Sequence, residues 1–331
     1  MLPKITDLYH QFDARFPHGY YRSPSLITSL RGTLLAFAYG KYHRTDSTPN
    51  QIFLRRSEDD GITWTAAREV IYDTTNRTEF YGAPLLDAHT GRMTYLFALY
   101  KWHTPAIGCA LHSVASDDDG KTWSQPKPIA VNGRANSTWG SALASGITLT
   151  RGPNAGRLLL ALRSDCGVVA ARTSFVIYSD DHGATWTGGE RMELLPQFGG
   201  GWTECQVAEL YNGSVLMTSR NFYGASSGQG PRLFARSDDG GATWAANWSA
   251  TETELPDPYC EGSILADPCV PHLLLPRTVL ISNLVVPHDG CPLSRPLPAC
   301  AARPFACMCR SARSFDHTIC QACCHRLPLA L

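Results

Sequence analysis

Two arginines and two carboxylates lie in short motifs whose residue types could bind an anion and transfer a proton. Arg22 lies in Tyr-Arg-Ser-Pro, Asp46 lies nine residues before Arg55, Glu204 begins Glu-Cys-Gln-Val-Ala-Glu-Leu, and Arg220 lies in Ser-Arg-Asn. Arginine is always charged and pairs a carboxylate with two hydrogen bonds, while a carboxyl group can donate or accept a proton. Taken singly, each residue also has an ordinary explanation as a surface ion pair, a turn residue or a strand-edge charge. Their roles therefore depend on the elements that position them.

A repeated motif supplies those elements. The pattern Ser-x-Asp-x-Gly-x-Thr-Trp begins at Ser57, Ser116, Ser179 and Ser237, so its starts are 59, 63 and 58 residues apart. A glycine turn followed by an apolar run precedes each copy by 23 to 25 residues. The segments between are rich in β-branched and aromatic residues, which is typical of short antiparallel strands. A unit of about 60 residues with about four strands predicts the blade of a β-propeller.

The repeated motif itself has a structural explanation. Its glycine permits a turn, and its aspartate, serine and threonine can bond backbone groups within that turn. Its tryptophan is large and apolar, and we expect it to pack between sheets. The pattern therefore predicts four folding devices without a catalytic role.

The repeated motif resembles the Asp box, or BNR repeat, of sialidases, and the chemical motifs sharpen this resemblance. Tyr21-Arg22-Ser23-Pro24 resembles the family's Tyr/Phe-Arg-Ile-Pro, and the stretch from Glu204 to Asn221 resembles its Asn-Glu-x-Gln-x-x-Glu-Leu, Asp-Gly-Ser and Arg-Asn motifs. The resemblance covers about residues 8 to 283. It implies an all-β, six-bladed β-propeller of sialidase type, here incomplete with about four to five blades. It also implies an exo-α-sialidase, a glycoside hydrolase that removes terminal α-linked sialic acid from glycoproteins, glycolipids or oligosaccharides.

The resemblance also implies a role for each candidate. Asp46 matches the catalytic acid/base, and Glu204 matches the glutamate that activates a nucleophilic tyrosine. Arg22 and Arg220 match two of three arginines that bind the substrate carboxylate, and Lys41 stands where an arginine is common. Retention through a covalent tyrosyl intermediate, with no metal and no cofactor, is the expected chemistry. We expect Arg22, Asp46, Glu204 and Arg220 to converge at one end of the propeller axis.

The resemblance ends at Leu284, where the family has a proline. No tyrosine follows Tyr259, so the nucleophile has no counterpart, and Arg295 is the nearest candidate for the third arginine. Composition changes at the same point, since seven of the twelve cysteines lie in the last 48 residues. These observations divide the chain into a partial propeller, residues 1–283, and a Cys/Pro/Arg-rich tail, residues 284–331. We expect the tail to be disordered or not native to the fold.

Three interpretations of this tail stay open. A frame change, splice variant or gene-model error would join foreign sequence to the propeller, and the coincident change of composition and repeat favours this origin. A disulfide-bonded extension would need an oxidising compartment. A zinc site is the third interpretation, and its ligand types would come from Cys307, Cys309, Cys320, Cys323, Cys324 and His325.

Charge and hydropathy limit the partners. Twenty-nine basic and 29 acidic residues give a net charge of zero, so the chain has no broad basic face for nucleic acid. No apolar run reaches the roughly 18 residues of a membrane span, and the first residues lack an apolar signal core. Sequons at Asn76, Asn136, Asn212 and Asn247 favour a lysosomal or secreted protein, whereas the missing signal fits a cytosolic one. A lysosomal location would suit ganglioside and oligosaccharide catabolism. The sequence leaves the oligomeric state open.

Two rival functions follow from the same residues. A lectin-like or receptor-type Asp-box propeller would bind a sugar without chemistry. A hydrolase of another acidic sugar would also need an arginine cluster, because arginines recognise any suitably placed carboxylate. Asp46 with Glu204 and the two arginines discriminates against a pure scaffold, which has no need of them.

Overall fold

The structure is a computed structural model. It describes residues 8, 20–41, 50–72, 78–101, 110–132, 144–163, 173–192, 201–221, 230–244, 246–249, 256–257, 262–266, 278–285 and 321–328. Within these ranges the chain forms β-strands and one short 3-10 turn, Gly152–Asn154, with no α-helix. The predicted all-β class is therefore confirmed. The chain divides into two compact units, residues 1–145 and 146–331, and each is described by itself.

The first unit contains two antiparallel four-stranded sheets, each a meander in chain order. Blade 1 consists of β1 (Tyr20–Thr28), β2 (Leu34–Lys41), β3 (Asn50–Ser57) and β4 (Arg68–Ile71). Blade 2 consists of β5 (Thr78–Leu86), β6 (Met93–Lys101), β7 (Ala110–Ser116) and β8 (Lys127–Pro128).

The second unit repeats this architecture twice. Blade 3 consists of β9 (Ile147–Thr148), β10 (Leu158–Arg163), β11 (Ser174–Ser179) and β12 (Thr187–Gly188). Blade 4 consists of β13 (Trp202–Glu209), β14 (Val215–Asn221), β16 (Leu233–Ser237) and β17 (Ala246–Ser249). Between β14 and β16 the chain adds a short strand, β15 (Gly230–Pro231), which pairs with β18 (Pro256–Asp257).

A further sheet of three strands follows blade 4. It orders β19 (Ser263–Ala266), β20 (Thr278–Val285) and β21 (Gln321–Pro328) as an antiparallel set. Strand β20 runs two residues past the predicted boundary at residue 283, and its partner β21 comes from the predicted tail. The described residues thus contain four four-stranded blades and one three-stranded sheet, which agrees with the predicted incomplete propeller.

Each box forms the same turn between the third and fourth strands of its blade. In blade 2, Gly120 N donates to Ser116 Oγ at 2.9 Å, and Thr122 N and Oγ1 donate to the Asp118 carboxylate at 2.8 and 2.6 Å. Equivalent bonds from threonine to aspartate recur in the other three boxes. The predicted bonding of aspartate, serine and threonine within the box turn is confirmed.

Two of the box tryptophans and two clusters of apolar side chains hold neighbouring blades together. Trp123 of blade 2 meets Phe37 of blade 1 edge to face, with ring centroids 5.8 Å apart. Trp244 packs against the second unit's core, which includes the fully buried Trp202. Burial of such large apolar surfaces is the main favourable term in folding.

Arginines add polar contacts between blades within each unit. Arg56 of blade 1 donates from Nε to the carbonyl of Asp119 at 2.8 Å and from Nη2 to its carboxylate at 3.2 Å. Arg157 of blade 3 donates to the carbonyl oxygens of Asp239 and Gly240 in the fourth box. Each of these arginines thus anchors the box turn of the next blade. Among the described residues, no helix has the length and hydrophobicity needed to cross a bilayer.

Candidate active site

Glu204 lies at a break in the first strand of blade 4. The pairing of β13 with β14 shifts between Thr203 and Cys205, which leaves Glu204 as the extra residue of a β-bulge. Its φ is +48°, in the left-handed region that glutamate rarely adopts. Bulges and strained backbone occur preferentially where a side chain must be aimed at a functional site. This geometry takes Glu204 out of the regular alternation of the strand.

Arg220 holds one oxygen of that glutamate. Its Nη1 donates to Glu204 Oε1 at 2.8 Å, and both side chains are 14% exposed. Arg220 lies in β14 opposite Thr203, so the bulge brings the glutamate beside the arginine of the neighbouring strand. A charge-assisted hydrogen bond of this length is among the stronger polar contacts in proteins. The structure therefore brings together two of the predicted site residues.

A third charged side chain, which the sequence analysis did not include, approaches the same oxygen. Arg163 ends strand β10 of blade 3, and its Nη1 lies 3.6 Å from Glu204 Oε1, with the arginine side chain 19% exposed. This distance makes an ion pair without a short hydrogen bond. The only signal in the sequence is a charged residue that closes the apolar run Leu-Leu-Leu-Ala-Leu.

The second carboxylate oxygen of Glu204 has different surroundings. Oε2 is buried and accepts no hydrogen bond from any residue that the structure describes. A buried acceptor without a donor costs about 1–3 kcal/mol, so such atoms commonly mark the place of a ligand group or water. Glu204 thus has one oxygen held by protein cations and one available to accept a proton or a hydroxyl hydrogen.

Cys205 follows this glutamate in strand β13. It is buried, and its thiol donates to the carbonyl oxygen of Leu162 at 3.3 Å. Burial raises the pKa of the Cys205 thiol to about 11. The thiolate is the reactive form of cysteine, so Cys205 packs in the core rather than acting as a nucleophile.

Arg22 lies directly before the corresponding bulge in blade 1 of the first unit. The register of β1 with β2 shifts between Arg22 and Ser25, and Ser23 has a φ of +46°. Arg22 is partly exposed and pairs across the ladder with Tyr39. The first strands of blades 1 and 4 therefore both contain a bulge with a left-handed residue, which is Glu204 itself in blade 4 and Ser23, the neighbour of Arg22, in blade 1.

Lys41 ends the neighbouring strand and is only 2% exposed. Its Nζ lies 5.9 Å from the ring centroid of Tyr81, a cation–π distance. Tyr39 fixes the adjacent part of blade 2, because its hydroxyl donates to Gly82 O at 2.9 Å and accepts from Gly82 N at 2.8 Å. The structure thus places Lys41 and Arg22 in one blade, with the lysine more deeply buried than a surface charge.

Asp46 lies outside the described residues, in the segment between β2 and β3. The predicted convergence of Arg22 and Asp46 with Glu204 and Arg220 concerns residues of both units, and it stays a prediction. Within the described part of the chain, no three His, Cys, Asp or Glu side chains are grouped as a metal site would need. The cysteines and histidine of the proposed zinc site lie outside the residues whose side chains are described.

Comparisons with known proteins show which proteins the chain resembles. The BNR repeat-like domain matches residues 32–267, about seven-tenths of the chain. A sialidase from Micromonospora viridifaciens is 34% identical over 269 residues, covering 76% of this chain and 39% of that protein. A sialidase from Paraclostridium sordellii is 28% identical over 260 residues, covering 73% and 61%. The chain therefore spans less than two thirds of these relatives.

Solved structures have the same fold. A Hadza microbial sialidase superimposes with a TM-score of 0.63 at 25% identity, covering 79% of this chain and 53% of that one. The four blades with box turns that the described residues form agree with this match.

Proposed function

Because the chain belongs to the sialidase family of BNR-repeat β-propellers, we propose that its Glu204 site recognises terminal α-linked sialic acid. The substrates would be sialylated glycoproteins, glycolipids or oligosaccharides. One observation carries the proposal: Glu204 is held by Arg220 at a strained bulge, and its buried Oε2 has no hydrogen-bond partner among the described residues.

The chemistry of the ligand suits these residues. Sialic acid carries a carboxylate on its anomeric carbon, and arginine pairs with a carboxylate through two parallel hydrogen bonds. In this proposal Arg22 and Arg220 bind the carboxylate, and Lys41 adds positive charge without the fork of an arginine. The assignments of Arg22 and Lys41 rest on the resemblance of their motifs and on their place in blade 1.

Hydrolysis would need two proton transfers and a nucleophile. Asp46 would protonate the leaving oxygen, and Glu204 Oε2 would accept the proton of the attacking hydroxyl group. The expected route passes through a covalent tyrosyl-sugar intermediate with retention. No tyrosine follows Tyr259 in this chain. We therefore propose that the 331-residue chain binds its ligand with no appreciable turnover.

The alternative is a binding propeller without catalysis. The lack of a tyrosine after Tyr259 favours it. The two proposals differ in what a restored nucleophile would do, because a chain that kept its acid and base would regain hydrolysis and a pure binding module would not.

The first experiment measures binding and cleavage by the chain as it exists. Titration with a methyl α-sialoside should give saturable binding, and Arg220→Gln should weaken it about tenfold or more, since a charged hydrogen bond is lost. Arg236→Gln is the matched control, because Arg236 pairs with Asp238 of the fourth box. A fluorogenic sialoside should not be cleaved. Absence of binding by the unmodified chain would overturn the proposal.

We also propose that residues 284–331 do not belong to the family fold. The change of composition at residue 284 supports this, although β21 of that segment pairs with β20. The nucleotide sequence after codon 283 tests it. An alternative frame that encodes a further Asp box and a late tyrosine is the expected result, and its absence would contradict the proposal.

A further inference from the structure

Ser219 lies opposite the bulge that carries Glu204, in the neighbouring strand of blade 4. In the ladder between β13 and β14, Thr203 pairs with Arg220. Cys205 pairs with Ser219, which leaves Glu204 between them as the extra residue of its strand. In a ladder without a bulge, Glu204 itself would lie opposite Ser219. Ser219 therefore occupies the point where two registers of the same pair of strands meet.

The side chain of Ser219 reaches across the bulge to Thr203. Its Oγ accepts a hydrogen bond from Thr203 N at 2.9 Å and donates one to Thr203 O at 2.7 Å. The carbonyl oxygen of Arg220 lies 3.1 Å from the same Oγ, a longer alternative for its single proton. Ser219 and Thr203 are 0% and 3% exposed, so these backbone groups are shielded from water. One hydroxyl thus satisfies both backbone polar groups of the residue before Glu204.

Ser219 consequently holds both neighbours of Glu204 in the chain. Its backbone pairs with Cys205, and its hydroxyl bonds Thr203. Strand β13 is at the edge of its sheet, so no second strand of that sheet pairs with this part of it. A strained left-handed residue persists only where the surrounding structure fixes it, and the φ of Glu204 is +48°. The Ser219 hydroxyl supplies such a constraint directly beside the strained residue.

We propose that Ser219 is a positioning residue of the Glu204 site. It keeps Glu204 in the left-handed conformation that places its Oε1 2.8 Å from Arg220 Nη1. The identity of the ligand rests on the proposed function. Without the hydroxyl, Thr203 N and O would stay buried and lose this partner, so the bulged conformation would become less favourable than its alternatives. The carboxylate of Glu204 would then leave its place beside the arginine.

NMR on the full chain measures the conformation of Glu204 directly. A residue with a left-handed φ gives a strong NOE between its own amide and α protons, because these protons lie closer together than in a strand. We expect this NOE for Glu204 in the unmodified chain and its loss in Ser219→Ala. Titration with a methyl α-sialoside should show about tenfold weaker binding by Ser219→Ala, as expected when about a tenth of the molecules keep the binding conformation.

Ser237→Ala is the matched control in the same blade. Ser237 is also 0% exposed, and its Oγ accepts from Gly241 N at 2.8 Å and donates to Asp239 Oδ1 at 2.7 Å. Both variants should lower the midpoint of urea denaturation, since each loses a buried hydroxyl with two hydrogen bonds. Only Ser219→Ala should change the Glu204 NOE and the sialoside affinity, because Ser237 belongs to the fourth box turn.

Amide hydrogen exchange in the unmodified chain provides a test that needs no variant, in case Ser219→Ala does not fold. The Thr203 amide should exchange as slowly as the buried amides of the ladder beside it, because its hydrogen is bonded to a buried hydroxyl. Exchange at the rate of an unstructured peptide would show that Ser219 does not hold Thr203 and would overturn the inference.

The outcomes separate this inference from the proposed function. A left-handed Glu204 in Ser219→Ala would overturn the inference and leave the proposed function standing. Unchanged sialoside affinity despite loss of the NOE would also overturn it, because the hydroxyl would then position nothing that the ligand uses. Loss of the NOE in Ser219→Ala, with no sialoside binding by the unmodified chain, would overturn the proposed function alone.

Discussion

Two carboxylates, Asp118 in a box turn and Glu204 in blade 4, have opposite surroundings. Asp118 accepts hydrogen bonds from Ser116 Oγ at 2.8 Å and from Thr122 N and Oγ1 at 2.8 and 2.6 Å. Glu204 has one oxygen bonded to arginine and one buried oxygen without a donor among the described residues. A fully satisfied carboxylate stabilises a turn, whereas an incompletely satisfied one retains capacity for a ligand. Residue type alone does not distinguish these two roles.

Backbone conformation gives a second comparison. Asp60, Asp119 and His182 have left-handed φ values of 56°, 66° and 59° at the same box position. Each precedes the box glycine, so the strain belongs to a recurring turn. The left-handed Glu204 has no such turn, and the strain there directs one side chain out of the strand.

The largest expected effect concerns catalysis by a chain with the family C-terminus restored. Such a chain should cleave a fluorogenic sialoside, and Glu204→Gln should lower kcat about a thousandfold, because the general base is lost. Asp46→Ala should cause a loss of similar size. Asp118→Asn should leave kcat within about twofold and lower only the melting temperature. A large loss of kcat in the box variant would remove the distinction between the two carboxylates.

The second prediction concerns stability in the first unit. The Arg56 and Asp119 side chains are 9% and 6% exposed. Arg56→Met should lower the free energy of unfolding by about 3 kcal/mol, because it leaves a buried carboxylate without its cation. Denaturation in urea provides the measurement.

Arg31→Met is the control for that experiment, because Arg31 is exposed in the same blade. Its cost should stay below about 0.5 kcal/mol. Equal costs for the two variants would show that the arginine contact between blades adds nothing.

Much of this architecture follows from local sequence, and the rest depends on packing. The box turns were predictable because Ser116, Asp118 and Thr122 bond one another within seven residues. The approach of Arg163 to Glu204 was not, since it depends on how blade 3 packs on blade 4. The bulge at Glu204 lacks the usual glycine, asparagine or aspartate signal for a left-handed residue. The position of Lys41 in a motif predicted it as a site residue, but the sequence did not predict that it would be buried beside Tyr81.

The third prediction concerns acid. Partial burial raises the pKa of Asp118, but hydrogen bonds from Thr122 and Ser116 outweigh it and hold the pKa at about 2. Hydrogen bonds from Thr63 and Ser57 likewise hold the pKa of Asp59 at about 2. A carboxyl whose pKa falls on folding stabilises the protein above its unfolded pKa of about 4, and this contribution is lost as pH falls toward 2.

Urea denaturation between about pH 6 and pH 2 would measure this effect. Asp118→Asn should be less stable than the unmodified chain at the upper end, and the difference should shrink below about pH 4. A difference that stays constant across the range would mean that the carboxylate charge contributes nothing to the turn.

The smallest expected effect tests whether backbone strain in the boxes can be removed without cost. Gly240 occupies the left-handed position of the fourth box with a φ of 71°, where the first box has the exposed Asp60 at 56°. Asp60→Gly should therefore raise the free energy of unfolding by up to about 1 kcal/mol, because glycine adopts this conformation without a steric penalty. Sialoside binding should not change. A loss of stability would mean that the Asp60 side chain contributes more than its strain costs. Glu204 offers no comparable gain, because a glycine there would remove the carboxylate that offsets Arg220 and Arg163.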